Sequence, residues 1–224
     1  MTNLAAIIQR IVQQELAHQR SSELGVVTEL FPHTTADDNH NYEASVRLKH
    51  DGLDLPKVAI AVNHLGVATP PNVGDLVLVQ FINGDLNQPV ITGRFYHSDA
   101  APPLHTADDL LWEQRVANDN TLNHLRFTAD GTIWLQRDVT KPEDNSEAKT
   151  SLKIDGATGD IELKSGAVTV AITHDQSIVI TDKSGNSIEM SDAAFTLTSK
   201  VPFKIDASGQ SLEIKANTID FNKG

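Results

Sequence analysis

The chain has 224 residues, of which 39% are hydrophobic and only 5% aromatic. Its formal net charge of -12 repels phosphate backbones, so we expect no nucleic-acid partner. The absence of cysteine excludes disulfides and thiolate chemistry. No apolar stretch reaches the roughly 18 residues of a membrane-spanning helix, and the N-terminus lacks the basic and apolar regions of a Sec-type signal peptide.

Residues 1–20 are predicted to form one amphipathic helix. Residues 3–20 contain neither Gly nor Pro, and Thr2 or Asn3 can cap the first turn. Four apolar residues fall on one face: Leu4, Ile8, Ile11 and Val12. This face either packs on its own domain or docks or trimerises the chain, and the sequence leaves both possibilities open.

Residues 21–99 are predicted to form a small β-barrel. Between residues 24 and 97, five alternating or continuous apolar runs are separated by turn residues. The turn signals are Asp51-Gly52, Pro70-Pro71 and Asn83-Gly84. Five short strands over this length favour an OB-fold. We expect Asn83-Gly84-Asp85 to form a hairpin turn in which Gly84 takes a positive φ.

Residues 100–124 are predicted to form an extended connector, because they hold Pro102-Pro103 and many small polar residues. A hairpin around Asp130-Gly131 then begins a β-shaft that occupies residues 125–224. Within it, the charged segment 138–150 contains Pro142 and is expected to be an exposed loop.

Most of the shaft consists of apolar-polar-apolar units separated by polar turns. The units are Leu152–Ile154, Ile161–Leu163, Val168–Val170, Ile178–Ile180, Ile188–Met190, Phe195–Leu197, Phe203–Ile205, Leu212–Ile214 and Ile219–Phe221. Their starts span 67 residues over eight steps, a mean period of about 8.4 residues. Strand alternation places both apolar side chains of a unit on one face, which a helix cannot do. One unit is too small to bury this face alone, so the units stack on each other or on partner chains.

A longer motif lies in the barrel segment. It consists of Val73-Gly74-Asp75, Asn83-Gly84-Asp85, Pro89-Val90-Ile91 and Gly93-Arg94-Phe95-Tyr96. This order resembles the OB domain of central spikes from contractile injection systems, the baseplate assembly protein V family. The family includes spikes of contractile phages, valine-glycine repeat proteins of type VI secretion and extracellular phage-tail-like particles. Residues 123–138 also resemble the family's entry into its β-helix.

The resemblance implies an all-β homotrimer with a short N-terminal helix, an OB barrel and an intertwined triangular β-helix. Such a needle lies below the tube of the injection machine, is assembled in the cytoplasm into the particle or virion tail, and acts outside the cell or at the target envelope. Its expected partners are a baseplate hub protein at the N-terminal and OB end, a PAAR-repeat tip protein at the C-terminal end and, transiently, the target membrane.

Departures from the family refine these expectations. The connector is too short for the lysozyme domain that some phage spikes carry, and no His-x-His pair follows His174 to bind iron. The ending KANTIDFNKG therefore predicts a separate tip protein. A fused hub domain is also missing before the barrel, which predicts a separate hub with the N-terminal helix as a candidate contact.

The sequence predicts no catalytic, cofactor-binding or metal-binding residue, and hence no enzyme. Seven histidines lack the spacing of a ligand set: His33, His40, His50, His64, His97, His105 and His124. The paired carboxylates Asp37-Asp38 and Asp108-Asp109 fall in polar loops rather than a cleft. Trp112 and Trp134 either stack on sugars or bases or pack at the joint between barrel and shaft. An OB module that binds oligosaccharide or single-stranded nucleic acid, with an appended β-solenoid, is the alternative function.

Overall fold

The computed structural model describes residues 4–18, 20–115, 121–140 and 148–222, without the side chains of residues 14–18. The chain divides into two compact units, residues 1–102 and 103–224. Two predicted features lie wholly or mostly outside the described residues: the helix cap at residues 2–3, and the loop whose residues 141–147 are not described. Within the described part of the chain, no helix is long and apolar enough to cross a bilayer.

The first unit contains the predicted helix and the five predicted strands. These elements are α1 (Leu4–His18), β1 (Glu23–Phe31), β2 (Glu43–Leu48), β3 (Asp54–Ile60), β4 (Leu76–Phe81) and β5 (Pro89–Phe95). The strands close into a barrel in the order β1-β2-β3-β5-β4, with β3 and β5 parallel and the other pairs antiparallel. This confirms the predicted helix and the five-stranded barrel.

Alternating residues of the strands fill the barrel. The buried core consists of Val27, Ala44, Val46, Leu48, Leu55, Val58, Val77, Val79, Phe81 and Ile91. Closure requires β1 to bond to both β2 and β4, and Gly25 lies where this happens, paired to Leu48 and Val77. A Cβ on Gly25 would lie 2.2 Å from Val46 Cγ1, so only glycine permits this close approach.

The predicted turn at residues 83–85 is also confirmed. A single 3₁₀ turn (Ile82–Gly84) joins the antiparallel strands β4 and β5. Asn83 has φ 56° and Gly84 has φ 76°, a left-handed conformation that these residue types tolerate.

The second unit is a sheet of nine strands within the described residues. They are β6 (Leu110–Arg115), β7 (Leu122–Phe127), β8 (Ile133–Val139), β9 (Thr150–Ile154), β10 (Ile161–Ser165), β11 (Val168–Thr173), β12 (Ser177–Thr181), β13 (Ser187–Ser191) and β14 (Phe195–Thr198). Each strand pairs antiparallel with the next one along the chain. The sheet is thus a meander whose hydrogen-bond ladders are made within one chain.

One prediction about this unit needs correction. Residues 100–124 are not wholly an extended connector, because β6 and the start of β7 already belong to the sheet. The last three units, from Phe203 to Phe221, form no ladder within this chain, and the intertwined β-helix expected there stays a prediction. Their pattern therefore lacks the backbone partners that the earlier units find in the chain itself.

Candidate functional site

One face of the nine-stranded sheet is apolar along its whole length. The strand registers align two side chains from every strand in two cross-strand rows. The first row is Leu110, Phe127, Ile133, Ile154, Ile161, Ile172, Ile178, Met190 and Phe195. The second row is Trp112, Leu125, Leu135, Leu152, Leu163, Val170, Ile180, Ile188 and Leu197. These 18 residues form the apolar face of the sheet.

The opposite face is predominantly polar. One complete cross-strand row consists of Glu113, His124, Gln136, Ser151, Lys164, Thr169, Thr181, Ser187 and Thr198. In the neighbouring row, Lys153 Nζ lies 5.4 Å from the ring centroid of Trp134 and 2.9 Å from Asp155 Oδ2. Lys153 also pairs across the strands with Glu162. The hydrogen bond to Asp155, followed by the charges of Asp155 and Glu162, raises the pKa of Lys153.

The apolar face is poorly covered. Ten of its residues are more than a third exposed, including Leu135 at 54% and Leu197 at 56%. The exposed fractions of those ten add to roughly five whole side chains. A contiguous apolar surface of this extent marks an interaction site. The face therefore defines the candidate functional site, an assembly surface.

The apolar surface continues beyond β14. A groove of about 700 Å³ lies between the last strands and the following segment, and Ile180, Ile188, Leu197, Val201 and Phe203 line it. Further along, apolar residues remain half to almost fully exposed: Ile205, Leu212, Ile214, Ile219 and Phe221. The nine-stranded sheet and the segment after β14 thus have one property in common, exposed apolar side chains that the rest of the chain does not bury.

Part of this surface escaped sequence analysis. Leu110 and Trp112 on β6 open the two rows, although both lie in the segment predicted to be a connector. Trp112 is 58% exposed and packs edge-on against Phe127, with 6.3 Å between ring centroids. The sequence did contain a signal for this strand. In Leu110-Leu111-Trp112 the first and third residues are apolar, as they are in the recognised units. Packing of both tryptophans at the joint between barrel and shaft stays a prediction.

The structure brings three of the predicted polar residues together in the loop after β1. His33 Nδ1 lies 2.6 Å from Asp38 Oδ1, and the Asp38 carboxylate accepts hydrogen bonds from three backbone N–H groups. These bonds, the one from Thr35 foremost, lower the pKa of Asp38. Neighbouring Asp37 is exposed, and His40 Nδ1 lies 3.0 Å from the Pro32 carbonyl oxygen. The arrangement orders a loop and forms no cleft.

The remaining histidines of the barrel and connector lie apart. His50 and His64 are exposed in turns, His97 makes an isolated bridge to Ala100, and His105 Nδ1 lies 2.9 Å from the Pro103 carbonyl oxygen. Among the described residues, no three His, Cys, Asp or Glu side chains cluster as metal ligands.

Two buried polar contacts stabilise the start of the sheet. His124 is not in a connector but on β7, where it is 4% exposed and hydrogen-bonded to Gln136 on β8. Asp109 bonds to Arg126 and accepts hydrogen bonds from the backbone N–H groups of Thr106 and Ala129. These bonds, led by the one from Thr106, lower the pKa of Asp109. Its neighbour Asp108 is exposed, so the pair shares no site.

The motif residues of the barrel act as turn and closure elements. Gly74 has φ 97°, and its N–H donates to the Val27 carbonyl 2.8 Å away. Asp75 Oδ2 accepts from the Asn72 N–H at 2.8 Å. Arg94 Nη1 donates to the Pro70 carbonyl at 3.2 Å. The motif thus specifies this barrel rather than a reactive site.

Comparison with known proteins supports the resemblance that the barrel motif predicted. Residues 55–96, which cover most of β3 and all of β4 and β5, match the family model of the type VI secretion system/phage-baseplate injector OB domain. The chain is similar to the actin cross-linking toxin VgrG1 of Vibrio cholerae, with 27% identity over 136 residues. It is also similar to the type VI secretion system spike protein VgrG3 of Vibrio cholerae, with 44% identity over 48 residues.

The matches cover 49% and 21% of this chain but only 12% and 5% of those relatives. They confirm the resemblance to spike and baseplate assembly proteins that the motif predicted, and residues 55–96 of the barrel are similar to an injector OB domain. Over these segments the chain is similar to VgrG spike and baseplate components.

Proposed function

We propose that this chain is the central spike subunit of a contractile injection system, a homotrimeric needle that punctures a target envelope. The observation that carries the proposal is an injector OB domain followed by a sheet with one uncovered apolar face. Covering that face with identical faces of other copies removes it from water without any further protein. The polar face then forms the outer wall of the shaft.

Strand length favours three copies. Strands β9, β10, β12 and β13 have five residues each, which gives a sheet about 17 Å wide at about 3.3 Å per residue. Three such sheets joined as a triangle lie about 5 Å from their common axis, half of the roughly 10 Å between packed sheets. Four sheets would lie about 8 Å from the axis and leave a hollow centre.

The shaft of the proposed trimer has two parts. Over β6–β14 each chain supplies one wall, because its ladders are already complete within the chain. Over residues 199–222 the same apolar alternation has no ladder in the described chain, so here strands of the three copies bond to each other. Intertwining in this second part satisfies the backbone groups and removes free edges, and it is where we place the triangular β-helix.

The proposed role is mechanical and not enzymatic. The name of VgrG1 describes an actin cross-linking activity of that protein, of which this chain matches 12%. The name of VgrG3 describes a spike, and its shared segment supports assembly of this chain in a comparable complex. Within that complex we propose a hub protein at the barrel end, a PAAR-repeat tip protein at the far end of the shaft, and transient contact with the target membrane. The needle is assembled with its particle in the cytoplasm and fires outward.

Size-exclusion chromatography with light scattering tests the core of the proposal. We expect about three chains per particle at micromolar concentration. A stable monomer would contradict the trimer. Titration of the intact chain with labelled single-stranded oligonucleotides and oligosaccharides provides the second arm, in which we expect no saturable binding; a monomer with such binding would favour the OB-module function instead.

A further inference from the structure

Helix α1 presents an apolar stripe that the chain leaves uncovered. Among the residues of α1 with described side chains, five large aliphatic ones are each 44–70% exposed: Leu4, Ile7, Ile8, Ile11 and Val12. A helix of a folded unit normally turns such a stripe towards a core. Exposure of all five residues indicates that another helix or surface covers them in the assembled protein.

The residue types on this stripe indicate what covers it. Leu4, Ile8 and Ile11 follow each other at intervals of four and three residues, the d, a and d positions of a heptad. Ile at both a and d positions favours three or more strands over two. Ile7 and Val12 flank the seam at g and e positions, where a two-stranded coil usually carries charges. The broadened stripe fits a bundle of more than two helices.

The exit of α1 is fixed to the barrel. Two residues after the helix, the Arg20 N–H donates to the Gly84 carbonyl at 3.0 Å. The Arg20 guanidinium lies 2.9 Å from Glu23 and 2.8 Å from Asp51. Since the tether is this short, association of the barrels would hold three copies of α1 at high effective concentration. That matters because a helix of about 15 residues has little stability of its own.

We propose that α1 forms a parallel three-helix coiled coil with α1 of two further copies of this chain. The inference rests on the proposed trimer and adds a second, independent interface to it. The seam consists of Leu4, Ile8 and Ile11, and the opposite side of the helix, which includes Gln13, faces water.

Because the chain has no cysteine, single introduced thiols test the seam directly. Ile8→Cys and Ile11→Cys place thiols at core positions, and Gln13→Cys places one on the opposite side of the same helix as the matched control. Each intact variant is oxidised under mild conditions after its oligomeric state has been measured by light scattering. Covalent dimers are then followed over time on non-reducing gels.

We expect both seam variants to form covalent dimers at least ten-fold faster than Gln13→Cys, with one chain of each trimer left unlinked. Trimers in which all three variants react at the same slow rate would overturn the coiled coil while the proposed trimer stands, and would indicate that another protein or the barrel covers α1. Absence of the trimer in the unsubstituted chain would instead overturn the proposed function. Slow reaction at Ile8→Cys with rapid reaction at Gln13→Cys would also contradict the proposed seam.

Discussion

Two neighbouring residues of β12 allow a direct test of the apolar face. Ile180 lies on that face between Val170 and Ile188, whereas Val179 points to the opposite face between Ala171 and Glu189. We expect Ile180→Lys to abolish the trimer and Val179→Lys to preserve it. Both substitutions add the same charge to a β-branched position of the same strand, so only the face differs.

The magnitude follows from what assembly must bury. Ile180 is 38% exposed in the single chain. Burying this exposed part of an aliphatic side chain contributes about 0.6–1 kcal/mol per chain to the stability of the trimer. Over the ten most exposed residues of the apolar face, the same estimate gives about 7–15 kcal/mol per chain. A lysine at position 180 removes its own share and adds an unpaired charge near the axis, which costs several kcal/mol in each of three chains. The sum is about 10 kcal/mol or more per trimer.

The assay is size-exclusion chromatography with light scattering, combined with circular dichroism to verify β-structure in each variant. We expect Ile180→Lys to elute as monomer or aggregate over concentrations at which Val179→Lys remains trimeric. A trimeric Ile180→Lys variant with unchanged thermal stability would refute the buried face. Equal loss of the trimer in both variants would refute the assignment of the two faces.

Two further predictions concern the stability of the single chain. Gly156→Ala places a Cβ 2.3 Å from the Asp130 carbonyl oxygen, so we expect a loss of about 1–3 kcal/mol in urea unfolding; Gly93→Ala, whose Cβ meets nothing closer than 3.8 Å, is the control and should change stability by less than about 1 kcal/mol. Asp109→Asn should lower stability at neutral pH, because the lowered pKa of Asp109 means that its ionised form stabilises the fold. That contribution is complete above the ordinary pKa of 3.8 and is lost as the pH falls towards the pKa of the folded state. The thermal midpoint of the variant should therefore fall less steeply than that of the unsubstituted chain below pH 3.8. If both midpoints fall equally with pH in this range, the role of this carboxylate is contradicted.

Sequence alternation predicted which side chains share a face but not which chain supplies the backbone partners. Each recognised unit up to Leu197 places both apolar residues on the apolar face, as period-two spacing requires, except that Val168 pairs with Ser165 outside the two rows. The same spacing is compatible with hydrogen-bond ladders inside one chain or between chains, because the turns between strands determine which strands pair. The short turn at Gly166-Ala167, with φ 58° at Gly166, closes the β10–β11 hairpin within the chain. That local geometry is why β6–β14 form a meander.

The polar contacts at the start of the sheet could not have been predicted from residue types. His124 meets Gln136 because both continue the regular register that begins at the pair Phe127 and Ile133. Residue types alone do not specify this register, and a one-residue shift would exchange the two faces of a strand. The Asp109–Arg126 pair likewise depends on β6, which the proline-rich surroundings concealed. In contrast, the barrel was predictable because its turn motif at Asn83-Gly84 has few alternative conformations.

The meander also suggests an order of assembly. Its strands pair with sequence neighbours through short turns, and local contacts of this kind form faster than pairings between distant segments or separate chains. A single chain can therefore complete the ladders of β6–β14 before it meets its partners, although the apolar face then remains exposed. Residues 199–222 cannot do so, because their strands require the other copies under our proposal. Burial of the apolar faces would thus bring the three preformed β6–β14 sheets together first, and residues 199–222 of the three copies would intertwine afterwards. To separate the proposed trimer, these intertwined strands would have to unwind before the three sheets could dissociate.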